Sequence, residues 1–170
     1  MKLEKIKPAT KEASGDELIR NYKRWTRVNP VPAVFNVFVS TACASVVTQS
    51  TMEQHNPHRD KFITVYVNEI GRKAMMEEKL PHFPQGSIIV KEKLTTKDST
   101  SPELLTVMFK REPGFNPQSG DWEYMALDGA GKQVQARGRI EHCQGCHMMV
   151  DTTDFVYRSY LPQKISAQLR

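Results

Sequence analysis

The sequence predicts an α+β fold: a mainly antiparallel β-sheet with flanking helices, and a Cys-x-x-Cys-His segment near the C-terminus. Three observations lead there. Runs rich in β-branched and aromatic residues at 62–68, 87–94, 104–110 and 121–127 follow one another, separated by turn-forming residues. Helical patterns stand at both ends of this series. No internal repeat or linker divides the 170 residues, so the chain reads as a Lys-rich disordered segment, 1–13, followed by one domain over 14–170.

Ser14 with Glu17 has the spacing of a capping box, and Leu18, Tyr22 and Trp25 then fall on one helical face. Asn29-Pro30 and Pro32 end that helix. Residues 33–50 mix small and β-branched types and stay ambiguous between helix and strand; Cys43 among them reads as a buried, unpaired thiol. A polar loop, 51–60, carries His55 and His58. The strand at 62–68 is followed by a short helix over 69–78, a turn between Pro81 and Pro84 through Gly86, and the strand at 87–94. After the strands at 104–110 and 121–127, Asp128-Gly129-Ala130-Gly131 signals a hairpin turn, and 132–139 is short and basic. An aromatic segment, 154–160, stops at Pro162.

Composition narrows the function. A net charge of +5 with 39% hydrophobic and 25% charged residues is ordinary for a globular protein. Without a basic run interleaved with aromatics, nucleic acid is not an expected partner. The apolar stretch 31–47 is interrupted by Pro32, Asn36, Ser40, Thr41 and Ser45, so no membrane span is expected.

The residues that carry chemistry are Cys143-Gln144-Gly145-Cys146-His147. Two thiols three positions apart, followed at once by histidine, form the attachment pattern of c-type haem. The thiols add to the two vinyl groups as thioethers, and the imidazole takes an axial position on the iron. A zinc site would need two more ligands at fixed spacing, and only isolated Cys43 and scattered histidines remain. The expected cofactor is one covalent haem c per chain, held by Cys143, Cys146 and His147, with His147 as the metal ligand. Covalent haem attachment takes place outside the bacterial cytoplasm. Residues 1–20 lack an apolar signal core, so the chain reads as an exported, periplasmic protein whose leader is replaced by an initiator methionine.

The iron's second axial ligand is not apparent. Met148 and Met149 directly follow the histidine and cannot reach the opposite haem face, while Met75, Met76, Met108 and Met125 sit at core-packing positions. An open distal site implies binding or activation of a small ligand. His55, His58 and His82 are read as loop histidines, and His142 as a surface one. Phe83 reads as a turn aromatic packed on the core. Trp122, Tyr157 and Tyr160 read as core or haem-wall residues. Arg137 and Arg139 could pair with haem propionates or lie on a solvated basic strand. In the strand at 87–94, Ile89, Lys91 and Lys93 share one face and Ile88, Val90, Glu92 and Leu94 the other. A pair of lysines on one face suggests a solvated sheet edge.

Asn21-Tyr22-Lys23-Arg24-Trp25, Thr64 to Asn68, Phe83 to Glu92, Gly120-Asp121-Trp122, the Cys-x-x-Cys-His motif and Asp154 to Tyr160 resemble, in that order, the cytochrome P-460 family, which includes the cytochrome c′-β proteins. The resemblance runs over about residues 20–162. It implies a mainly antiparallel sheet domain, a homodimer in the periplasm, and a redox partner protein. Family enzymes oxidise hydroxylamine to nitrous oxide, and in them a lysine is bonded to a porphyrin meso carbon. The Val-Lys-Glu segment places that lysine at Lys91. By this resemblance Lys91 is a catalytic and cofactor-binding residue, and Lys93 is solvent-facing or a propionate partner. The c′-β relatives lack the cross-link and bind nitric oxide behind an apolar cap. Family enzymes also carry a distal acid shortly before the haem motif. Here 133–139 holds none until Glu141, a departure that keeps nitric-oxide binding as the alternative to hydroxylamine oxidation.

Overall fold

The structure, a computed structural model, describes residues 14–34 and 61–169. Cys43, His55, His58 and the readings made for 1–13, 33–50 and 51–60 lie wholly or mostly outside the described residues. A seven-stranded antiparallel sheet organises the rest. Its strands are β1 (Thr26–Arg27), β2 (Ala33–Val34), β3 (Phe62–Val67), β4 (Ile88–Leu94), β5 (Leu104–Lys110), β6 (Trp122–Asp128) and β7 (Val134–Gly138). The order is β1-β3-β4-β5-β6-β7, with β2 also paired to β3. The helices are α1 (Gly15–Leu18), α2 (Glu69–Met76), α3 (Glu141–His147) and α4 (Gln163–Gln168). The fold is thus α+β, as the strand runs and flanking helices predict.

Period-two alternation places two cores on the two faces of the sheet. Val65, Val67, Ile89, Met108, Trp122 and Tyr124 pack on one face with Phe83, Met75 and Val156. Ile88, Val90, Leu105, Val107, Met125 and Leu127 pack on the other with Ile19 and Tyr22. Asn68 fixes the start of β4. Its Oδ1 accepts the Gly71 N–H at 3.1 Å, capping α2, and the Ile88 N–H at 3.0 Å, while its Nδ2 donates to the Gly86 carbonyl at 2.8 Å. A one-residue slip of β4 would exchange its two faces, so this cap also decides where Lys91 points.

The N-terminal helix is shorter than its spacing predicts. Glu17 accepts the Ser14 N–H at 2.9 Å, as the capping pattern requires, but Asn21 takes a left-handed conformation (φ 64°) and stops the helix. A single 3-10 turn, Tyr22–Arg24, follows. The break lets the Tyr22 hydroxyl donate to buried Glu92 at 2.7 Å and its ring stand edge-on to Tyr66 at 5.3 Å. A buried carboxylate needs a donor, and that requirement overrides continuation of a helix. Beyond Pro162, where the aromatic segment ends, α4 follows, with Ile165 and Leu169 against the core.

Candidate haem site

Helix α3 carries the Cys-x-x-Cys-His motif across one sheet face. Ile140 and Cys143 pack against the core below it. Gln144 pins the helix: its Oε1 accepts the Asn116 Nδ2–H at 2.8 Å and its Nε2 donates to the Arg139 carbonyl at 3.2 Å. Gly145 has open space around its Cα, so the exposed side of the helix is unobstructed there. Cys143 is half-buried and Cys146 exposed, three positions apart on a helix and therefore on the same side.

His147 stands between two tyrosines, with ring centroids 5.3 Å from both Tyr124 and Tyr157. Its Nδ1 lies 2.6 Å from the Phe155 carbonyl oxygen. A carbonyl only accepts, so Nδ1 carries the proton and Nε2 presents the lone pair. Burial, helped by the Lys91 charge, lowers the pKa of this histidine to about 4. The imidazole is therefore neutral at physiological pH, the form that ligates a metal. Before haem attachment the polypeptide should therefore lose stability in acid. An unfolded chain takes up the proton near 6.5, while the folded site resists to about 4. Stability is complete above 6.5 and falls as the pH drops to 4, by up to about 3 kcal/mol. Denaturant melts between these limits should show that slope, and His147→Gln should flatten it.

The Phe155 carbonyl is held by an unusual turn. Asp154 and Phe155 both have positive φ, 52° and 64°, a conformation that costs about 1–3 kcal/mol for a bulky residue unless its surroundings compel it. Here they do. The Asp154 carboxylate receives Lys110 Nζ at 2.7 Å on both oxygens and the Phe83 N–H at 2.8 Å; its carbonyl receives Trp122 Nε1–H at 2.8 Å. Gly120 completes the fit, since a Cβ there would lie 2.6 Å from the Phe155 ring. Further along, Tyr157 donates to the Cys146 carbonyl at 2.8 Å, and Arg158 reaches the Glu78 and Lys79 carbonyls at 2.7 and 2.9 Å, past the end of α2. The aromatic segment thus sets the position of the histidine ring.

Lys91 comes to the same place from β4. It is 8% exposed, its Nζ lies 5.9 Å from the Tyr160 ring centroid, and it is close enough to Cys143, Cys146 and His147 for their charges to interact. Burial lowers its pKa to about 8 despite the opposing pull of the two cysteines. Burial also raises both thiols. Beside Lys91 on the same face run Thr106 on β5, Ala126 on β6 and Ala136 on β7, one row of cross-strand partners. Small side chains here leave the sheet low beneath the motif.

The expectation of a solvated edge at Lys91 and Lys93 does not hold. Strand β4 lies between β3 and β5, all seven of its residues are buried, and Lys93 is 1% exposed. Other readings divide. Phe83 is a core residue, its ring 5.5 Å from Trp122. Met75, Met108 and Met125 are buried, and Met148 and Met149 are exposed. His82 is 87% exposed at its side chain, 3.9 Å from Asp154, and His142 is exposed. Arg137 binds Glu123 at 2.8 Å, and the Arg139 guanidinium lies 5.2 Å from the Phe115 ring centroid. The sequence reading overlooked Asp154 and Lys110 as positioning residues. The available signal was Lys110 itself, a charged residue in register with the buried face of its strand.

The donor set fits a haem. Two thiols share one side of a helix, a neutral imidazole presents Nε2, and the sheet row beneath is lined with small residues. A family model, Cytochrome P460, matches residues 43–158. The chain belongs to the cytochrome P460 family. No curated protein matches it. Membership makes this a c-type haem protein. No helix among the described residues of this cytochrome is long and apolar enough to cross a membrane.

Proposed function

We propose that this cytochrome P460 oxidises hydroxylamine at one covalent haem c per chain, attached through Cys143 and Cys146, ligated by His147 and bonded to Lys91. Lys91 supports it most: a buried lysine on a central strand, within electrostatic reach of both cysteines and the histidine, with its pKa brought down to about 8. A depressed pKa keeps part of the amine unprotonated near neutral pH, the form whose lone pair can bond a haem carbon; that bond replaces an N–H and a meso C–H, so forming it needs a two-electron oxidant. When bound, the haem supplies a redox-active iron for a small nitrogenous ligand. The chain's own residues do the rest. Phe155 holds the proton on His147 Nδ1, Tyr124 and Tyr157 fix the plane of the ring, and Tyr160 holds Lys91 against the site. Electrons pass to a redox partner protein. The family and the export requirement of covalent attachment support a periplasmic homodimer.

The second reading is nitric-oxide binding of the c′-β kind. It is favoured by the carboxylates available on the Lys91 face. Asp154 is engaged by Lys110, and Asp128 accepts the Lys132 and Gln133 N–H groups at 2.7 and 2.9 Å. Among the described residues, then, neither carboxylate is set up as the general base that turnover would require.

Lys91→Ala separates the two. Under the first reading the ferrous absorption band moves from the red-shifted position of a cross-linked haem to that of an ordinary c-type haem. Hydroxylamine turnover falls by at least ~10–100-fold, the scale lost when a group tuning a metal centre is removed. Haem stays attached. An ordinary spectrum in the wild type, unchanged by the substitution, favours nitric-oxide binding and overturns the enzyme.

A further inference from the structure

Lys93 poses a separate problem. It lies two residues beyond Lys91 on the same face of β4, paired across the sheet with Ile63 and Leu104. It is 1% exposed, and among the described residues no hydrogen bond or ion pair reaches its Nζ. Glu103 is adjacent, its N–H bonding the Lys93 carbonyl at 2.8 Å, but its carboxylate is committed to Lys61 at 2.8 Å. Two further charges that reach it, Lys91 and Lys61, are of the same sign, and Glu103 pulls the opposite way without bonding to it. An ammonium buried without a counter-ion is costly, and buried charges are ordinarily paired.

Its location says where the missing anion belongs. His147 packs on Tyr124, whose row across the sheet runs through Met108 to Ile89. Lys91 occupies the next row on this face and Lys93 the one after, about 13 Å along the strand from Ile89. The two lysines therefore follow in order away from the histidine. Lys93 remains within electrostatic reach of Cys143 in the motif, as well as of Glu103 toward the outer end of the strand.

We propose that Lys93 is an anion-binding residue of the haem pocket, taking a carboxylate-type oxyanion on the side of Lys91 away from His147. Two sources share this chemistry: a propionate of the haem, or a small free anion such as nitrite taken into the same pocket. Lys93 is a binding and positioning residue in either case. The proposal rests on the haem reading of this face and not on the Lys91 bond.

The test uses the haem-loaded protein with Lys91 intact, carrying Lys93→Met or Lys93→Arg. If the anion is free, Lys93→Met weakens nitrite binding to the ferric protein by about tenfold or more, the scale of one charged hydrogen bond. Binding of neutral imidazole is unchanged, and Lys93→Arg recovers most of the nitrite affinity. If the anion is a propionate, nitrite affinity holds, while the propionate bending mode in the resonance Raman spectrum shifts in Lys93→Met and returns in Lys93→Arg. Silence in both measurements overturns the proposal. Should Lys93→Met fail to accumulate, the wild type decides: transfer to D2O should shift the bending mode of whichever anion the ammonium holds, and no shift overturns the assignment. A wild type lacking a c-type spectrum would sink the haem reading along with it. A c-type wild type with silent Lys93 variants would sink the lysine's role alone.

Discussion

Replacing Cys143 and Cys146 together by alanine yields a polypeptide whose intact mass under denaturing conditions lacks the increment of one haem. Either single substitution leaves a chain that retains haem through one thioether. The expectation rests on geometry as much as on motif. The two residues share a side of α3, the helix is pinned through Gln144, and the far side of Gly145 is open. Removing the thiols costs the fold little, because Cys146 is exposed and Cys143 only half-buried. Loss of haem in the double variant would therefore report attachment chemistry and not unfolding, and unchanged far-UV circular dichroism would establish that. Haem retained through denaturation by the double variant would remove these cysteines from the site.

Asp154→Ala is expected to give the largest loss of stability of any single change at this site. The substitution leaves Lys110, 6% exposed, without its partner and the Phe83 N–H without its acceptor. Breaking a buried pair from one side costs about 3–5 kcal/mol. In a chain of this size that corresponds to a fall in Tm of roughly 10 °C. Asp154→Asn should cost less, since asparagine tolerates positive φ and keeps a neutral acceptor for Lys110. Adding Lys110→Met to Asp154→Ala should recover part of the loss, because the uncompensated ammonium is then gone. The consequence reaches the site through the next residue. With the turn loosened, the Phe155 carbonyl no longer fixes the His147 ring, and the reduction potential of the loaded protein should shift. A variant as stable as the wild type would show that Lys110 and Asp154 do not form the pair described.

Much of this protein is legible from its residues because the signals are local. The strand at 104–110 has the bounds that its side chains predict, and the helix after Asn68 begins where its cap stands. Alternation correctly separates Ile89, Lys91 and Lys93 from Ile88, Val90 and Glu92. Other features leave weaker traces. Strands β1 and β2 are two residues each, too short for any period to register. The helical spacing of Leu18, Tyr22 and Trp25 was present, yet Asn21 breaks the helix so that Tyr22 can reach Glu92, 70 positions away in sequence.

The Cys-x-x-Cys-His motif, the family and the side chains that share a strand face are legible along the chain, because these depend on residue types and short spacings. That β4 is central, and that two lysines which their strand pattern alone would leave in water are buried, came only from the packing of the chain. That packing also decided that a salt bridge between Lys110 and Asp154 orients the histidine. Burial depends on which strand lies on each side and what covers each face. Those neighbours come from β3, β5 and the C-terminal aromatic segment, and nothing in the lysines' own surroundings along the chain reveals them.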